Sequence, residues 1–252
     1  MKPKKITIGV CGARWLGVKC LRLLANMPAI EIKAVCFPKR TKKVWWKDVV
    51  DEDEVNRLGY TITPWEEWEN RTFDLVFSVL HDRIFKLSHI ANSRYGIINL
   101  HTAPLPKYRG SNTFFHAIAN GEKEYQVTLH FVDEGIDSGP IIATRSMKID
   151  VLDTGWSLYK KAQRHAFTLF SQNIPSIIAA AQKGIRVASH VQNHRQAMYY
   201  PRIELHKQAN LKWSKERLYN FVRALDFPPF EPAHILVKGK KILLTLGKTP
   251  PA

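Results

Sequence analysis

Asn99 and His101 stand two residues apart at the end of an apolar run, Ile97-Ile-Asn-Leu-His101, and the chain then runs into prolines at 104 and 106. Residues two apart in a strand project from one face about 6.6 Å from each other. This run therefore presents an amide and an imidazole together at its C-terminal edge, the edge where open α/β sheets bind ligands. An imidazole takes and returns protons near neutral pH, and an amide N–H can donate to an oxyanion. A second polar stretch, Asp133-Glu-Gly-Ile-Asp-Ser-Gly139, follows a later alternating run. If that loop lies beside His101, a carboxylate from it orients the imidazole and raises its basicity. Spacing alone leaves open the plainer reading, a structural histidine at a strand end.

Other chemistries find little support. Gly9-Val-Cys-Gly12-Ala-Arg-Trp-Leu-Gly17 departs from the G-x-G-x-x-G spacing, and the second strand pattern ends in Phe37-Pro-Lys39 rather than an acidic ribose-binding residue, which argues against a dinucleotide. There is no P-loop and no H-E-x-x-H, and the ten histidines show no metal-ligand spacing, so no metal is expected. His81, His89, His116, His130 and His165 read as surface or core-edge residues. Cys11, Cys20 and Cys36 are odd in number without a C-x-x-C pair and read as small buried hydrophobes.

The elements that must position the pair are legible as patterns. Ile6–Cys11, Ile32–Phe37, Leu75–Val79 and Ile97–His101 are short β-branched runs separated by helix-like stretches, the signature of a parallel sheet covered on both faces. Trp15, Val18, Leu21, Leu23 and Leu24 form an apolar helical stripe after the glycine turn. Past the prolines, Asn112 or Thr113 is placed to cap a short helix through Asn120. Strands are expected at Gln126–Val132 and Ile141–Ile149, then a long helix from Gly155 to Gly184, bent or broken by Pro175. Beyond Tyr199 the chain turns basic and aromatic, with a helix over Lys215–Leu225 and a hairpin around Val237–Ile242. The expected fold class is α/β: a Rossmann-like, mostly parallel sheet with helices on both faces, plus a small C-terminal α+β extension. The expected division is a catalytic domain over 1–198 and an extension over 199–252.

The chain has 252 residues, 45% of them hydrophobic, enough for one substantial core. No run approaches the roughly 20 apolar residues of a membrane span, and Met1-Lys-Pro-Lys-Lys5 leads straight into a strand pattern without a leader, so a cytoplasmic location is expected. The 38 basic and 22 acidic residues give a net charge of +16, and the last 70 residues hold 13 Lys and Arg against 4 Asp and Glu. Such a charge draws anionic partners or simply aids solubility.

Five stretches occur in order over about forty residues: Asn99-Leu-His101, Leu105-Pro-Lys-Tyr-Arg-Gly110, Asn120-Gly-Glu-Lys-Glu124, Val127-Thr-Leu-His130 and Asp133-Glu-Gly-Ile-Asp-Ser-Gly139. Together they resemble the 10-formyltetrahydrofolate-dependent formyltransferases, and Arg223-Ala-Leu-Asp-Phe-Pro-Pro229 extends the likeness into the tail. The resemblance implies a triad of Asn99, His101 and Asp137. An acceptor amine would attack the formyl carbon, Asn99 and His101 would stabilise the tetrahedral intermediate and move protons, and Asp137 would raise the pKa of His101. It also implies 10-formyltetrahydrofolate as cosubstrate, its pterin near Arg83, Ile84 and Phe85 and along Asp133, Glu134, Gly135 and Ile136.

Within that family the sequence is most similar to the sugar N-formyltransferases, which act on nucleotide-linked amino-deoxysugars for surface polysaccharides such as the lipopolysaccharide O-antigen. Tyr199-Tyr-Pro-Arg202 resembles the entry to their tail, and Tyr199, Tyr200 and Arg202, with Ser111 and Asn112, are the implied substrate residues. The methionyl-tRNA formyltransferases are relatives whose C-terminal barrel needs more than the fifty residues after Arg202; tRNA is thus the less favoured acceptor. The UDP-aminoarabinose formyltransferases carry an Arg where this chain has Ser111, which leaves the sugar undetermined. Another small amine or a hydroxylamine remains an alternative acceptor, and a homodimer through the C-terminal extension is an open expectation.

Overall fold

The computed structural model describes residues 5–38 and 52–247. The Met1–Lys4 stretch and Lys39 of the Phe37-Pro-Lys39 pattern lie outside them. The chain opens with β1 (Ile6–Gly12), α1 (Arg14–Ala25) and β2 (Ile30–Cys36), followed by α2 (Glu52–Arg57) and a 3₁₀ turn over Trp65–Asn70. Next come β3 (Leu75–Val79), α3 (Leu87–Ala91), β4 (Ile97–His101), the two-residue β5 (Arg109–Gly110) and α4 (Thr113–Ala119). Then follow β6 (Glu124–Phe131), β7 (Ile141–Lys148), α5 (Gly155–Gln182), β8 (Tyr199–Tyr200), α6 (Lys215–Leu225), β9 (His234–Val237) and β10 (Lys240–Leu243).

Six strands form one sheet in the order β2-β1-β3-β4-β6-β7. The first four run parallel, and β6 and β7 are antiparallel to their neighbours. Alternation along the strands sorts side chains to two covered faces. Ile8, Val10, Leu75, Phe77 and Ile98 pack in the main core with residues of α1 and α5, whereas Cys11, Val76 and Ile97 pack in a second cluster with Trp68, Phe73 and Phe85. Each fully buried Leu, Ile or Phe in these layers contributes roughly 1.5–3 kcal/mol. All three cysteines are buried and reduced.

The close approach of α1 to β1 explains the opening glycines. A Cβ on Gly12 would lie 2.6 Å from the Phe37 ring, and one on Gly17 would lie 3.1 Å from the Gly12 Cα. These glycines let a helix sit against a strand and a phenylalanine.

α5 begins at Thr154, whose hydroxyl accepts from the Ser157 N–H, and it buries Leu158, Ala162, Ala166, Phe170, Ile174, Ile177 and Ala181 along one stripe. It runs unbroken across Pro175, so the expected break is absent. Burial of that stripe holds the helix together despite the backbone bond that proline removes. The tail shares the same core: Phe221, Val222 and Leu225 of α6 join it, and the buried Arg223 guanidinium donates to the carbonyls of Asp150 and Asp153. β9 and β10 form the expected hairpin, turned at Lys238 and Gly239, both at positive φ. Among the described residues no helix is long and apolar enough to cross a membrane.

Candidate active site

Asn99 and His101 do share one face of β4. The strand beyond them changes what else reaches that face. Because β6 runs antiparallel to β4, His130 is registered opposite Asn99, and the 133–139 loop enters beside Ile97 and Ile98 rather than at the C-terminal edge of β4. Asp137 still reaches the pair because the loop folds back, with Asp137 at φ +51°.

The resulting cluster is compact. His101 Nε2 lies 2.8 Å from the Tyr108 carbonyl, so that nitrogen carries a proton and donates it. Its Nδ1 then bears the lone pair and lies 3.6 Å from Asp137 Oδ2, an ion-pair distance once Nδ1 is protonated. The Asp137 carboxylate is also met by the Gly110 N–H, at 2.9 Å to Oδ2, by Asn99 Nδ2, at 3.4 Å to Oδ1, and by His130 Nε2, 3.6 Å from Oδ1. Burial opposes ionisation of Asp137, yet the nearby His101 and His130 imidazoles, and after them the Gly110 N–H, outweigh it and hold the carboxyl well below the usual carboxylate range.

His130 corrects another expectation, since it is neither at the surface nor at the core edge. Its side chain is 2% exposed. Nδ1 lies 2.7 Å from the Phe131 carbonyl, which fixes the proton there, and Nε2 accepts from Asn99 Nδ2 at 3.1 Å. The Asn99 amide thus bridges His130 and Asp137, the second contact being the weaker. The signal for this residue was the alternation of β6, which becomes informative only when its pairing with β4 is known.

The implied substrate residues are gathered along a second line. β5 pairs in parallel with β8, Arg109 against Tyr199 and Gly110 against Tyr200, and Ser111 N donates to the Tyr200 carbonyl. Gly110, at φ +92°, has no alternative here: a Cβ would lie 2.1 Å from the Tyr200 carbonyl oxygen. Asn112 occupies the N-terminal position of α4 at φ +54° without a side-chain capping bond, and its Nδ2 instead reaches the Ile203 carbonyl at 3.5 Å. Tyr199 and Arg202 are exposed, whereas Tyr200 stacks between Tyr108 and His116. Beyond that stack lies a cleft of about 740 Å³ lined by His116, Tyr200, Trp213, Arg217 and Asn220 among others. None of Asn99, His101 and Asp137 lines it; it connects to His101 through Tyr200 and Tyr108.

Residues 65–174, the stretch that holds Asn99, His101, His130 and Asp137, match the family model described as formyl transferase. The chain carries a formyl transferase domain. Among its relatives, GDP-perosamine N-formyltransferase of Brucella melitensis is 28% identical over 172 residues, 66% of this chain and 62% of that protein. Methionyl-tRNA formyltransferase of Halalkalibacterium halodurans is 30% identical over 192 residues, 75% of this chain and 55% of that one. The chain thus spans less than two thirds of the length of these relatives. The crystal structure of an N-formyltransferase from Helicobacter canadensis, in complex with folinic acid and dTDP-3-aminofucose, superposes with a TM-score of 0.79 at 27% identity, covering 94% of this chain and 86% of that one.

In the formyl transferase domain, Arg83 and Ile84 project from the surface after β3 and Phe85 is buried. Phe85 shares the second apolar cluster with Ile97 and Val132, so the two segments implied for folate converge there, although Glu134, Gly135 and Ile136 are exposed and Asp133 is tied back to Ser138 and Gly135 N. Sequence reasoning missed the rings around them. Trp65 stacks on His89 at 4.6 Å and lies 4.8 Å from His81 and 5.3 Å from Phe85. Both His81 ring nitrogens are buried without a hydrogen-bond partner. Burial, aided by nearby Arg83, brings this imidazole down to about 4, so it is neutral at physiological pH. Such a nest can take a flat ring that has a hydrogen-bonding edge. Among the described residues no group of three or more His, Cys, Asp or Glu is arranged to hold a metal.

Proposed function

We propose that the protein transfers a formyl group from 10-formyltetrahydrofolate to the amine of a nucleotide-linked amino-deoxysugar. The observation that carries this reading is the Asn99–His101–Asp137 cluster, in which the Tyr108 carbonyl fixes the His101 tautomer so that Nδ1 faces Asp137 as a base. The folate supplies the formyl carbon. A bond forms between that carbon and the acceptor nitrogen, and the bond from the carbon to the folate nitrogen breaks. His101 Nδ1 takes the proton the amine gives up and returns it to the departing nitrogen. Asp137, ionised throughout, stabilises the imidazolium between those events. Asn99 exchanges its weak 3.4 Å contact with Asp137 for the charge developing on the formyl oxygen, while His130 keeps the amide oriented.

For the cosubstrate, the unpartnered His81 nitrogens inside an aromatic nest suit a pterin edge, with Arg83, Ile84, Phe85 and Asp133–Ile136 beside it. For the acceptor, the β5–β8 line of Ser111, Asn112, Tyr199, Tyr200 and Arg202 leads to a cleft whose rings and Arg217 suit a base and a diphosphate. Relatives named for GDP-perosamine or crystallised with dTDP-3-aminofucose support a sugar acceptor. The same reading takes 1–198 as the catalytic domain and 199–252 as an extension, and places the reaction in the cytoplasm, in O-antigen-type polysaccharide synthesis. It also includes a homodimer through β9 and β10, whose Leu236, Val237, Ile242 and Leu243 are exposed.

The test combines the protein with 10-formyltetrahydrofolate and a panel of dTDP-, UDP- and GDP-linked amino sugars and initiator methionyl-tRNA, with mass spectrometry of the products. Formylation of amines on one nucleotide supports the reading and names the base. Formylation of tRNA alone, steeply salt-dependent as the +16 charge would make it, overturns the sugar acceptor. Folate binding without transfer to any amine overturns the activity.

A further inference from the structure

Gln192 lies in a loop after α5, far in sequence from the triad, and it is 4% exposed. Its carboxamide is fully used. Nε2 donates to the Asp137 carbonyl at 2.9 Å and to the Gly139 carbonyl at 2.7 Å, and Oε1 accepts from Arg109 Nε at 3.3 Å and an Arg109 terminal nitrogen at 2.7 Å. A buried amide with every contact satisfied is held in one orientation.

The surrounding chain makes this a strap between two parts of the site. On one side His190 exchanges backbone hydrogen bonds with Ile141, just after the 133–139 loop. On the other, Met198 and Tyr200 accept from Arg109 and Ser111, so residues 190–200 tie the Asp137 loop to the β5 segment. Gly110, the residue after Arg109, donates its N–H to the Asp137 carboxylate. Arg109 is thus bonded to Gln192 by its side chain while its neighbour bonds the carboxylate.

Asp137 needs such support. A non-glycine residue in the left-handed region carries a conformational cost and persists where its surroundings over-determine it. Gln192 grips the carbonyls of Asp137 and of Gly139, two residues on, so it fixes the turn that aims the carboxylate at His101. We propose that Gln192 is a positioning residue, holding the Asp137 turn so that the carboxylate faces His101 Nδ1, and that Arg109 sets the orientation of its amide. This rests on the formyl-transfer reading above.

Gln192→Ala removes all four contacts. Gln192→Met removes the same contacts but fills the space without adding a charge, and so keeps the inference testable if the alanine variant does not fold. Both variants are expected to lower kcat about 10–100-fold, as small misplacements of a catalytic group do, with KM for folate and acceptor within about twofold of wild type. A second readout separates positioning from general loosening. In an Asp137→Asn background Gln192→Ala adds no further loss to the residual rate. Wild-type kcat in the Gln192 variants, or losses that multiply with Asp137→Asn, would overturn the inference. A wild-type protein that formylates no amine would instead overturn the reading on which it rests.

Discussion

The triad and the aromatic nest are carried by neighbouring strands, β4 and β3, and they treat buried polar atoms in opposite ways. Around Asn99 each polar atom answers another: His130 is pinned by Phe131, Asn99 by His130, His101 by Tyr108, and Asp137 by Gly110. Around His81 the ring centroids lie 4.6–5.6 Å apart, and both imidazole nitrogens stay unpaired. A satisfied network fixes geometry before reactants arrive, and charge relocation then costs little reorganisation. An unsatisfied buried imidazole lowers the stability of the protein alone and favours whatever hydrogen-bonds to it. On the proposed reading, the difference teaches that the first arrangement suits chemistry and the second recognition.

The largest expected effect tests the chemical half. His101→Ala and Asp137→Asn should each reduce formyl transfer about 10²–10⁴-fold, with the melting temperature of the His101 variant little changed, as assay and calorimetry would read. If His81→Leu lowers kcat as far as these do, the division between the two regions fails. A second effect separates them by pH. His81 titrates at about 4 in the fold and at about 6.5 unfolded, so between those values the unfolded chain binds a proton that the native state refuses. Stability therefore rises with pH across this window, by roughly 3 kcal/mol for a shift of that size. Asp137 stays ionised in the fold across the same window and adds little slope. Urea unfolding at pH 4.5 and pH 7 should show the dependence flattened in His81→Leu and retained in Asp137→Asn.

The contrast also explains what was legible in the sequence. The strands, the Asn99–His101 pair and the β10 hairpin rest on local periodicity and spacing, which one chain segment displays by itself. His130 escaped because its role depends on an antiparallel register, and the same alternation fits a structural histidine. Gln192 escaped because its partners lie 53 to 83 residues away and nothing about a lone glutamine in a loop announces them. The nest around His81 depends on Trp65 arriving from a 3₁₀ turn on the far face of the sheet. The unbroken α5 failed local reasoning for a related reason, since the penalty of Pro175 is local and the burial that outweighs it is not.

The smallest effect sharpens the recognition half. Replacing His81 by Leu removes two unpartnered buried nitrogens and keeps an apolar ring-filling side chain, so at pH 7 the variant should be as stable as wild type or slightly more so. Its loss should fall on the folate alone: KM for 10-formyltetrahydrofolate should rise about tenfold, the equivalent of one hydrogen bond of about 1.4 kcal/mol. KM for the acceptor should stay put, because the proposed acceptor line runs along β5 and β8 on other elements. Steady-state kinetics with each substrate varied in turn decides it. A rise in acceptor KM, or a variant clearly less stable at pH 7, would show that His81 serves packing and that the unpaired nitrogens carry no recognition.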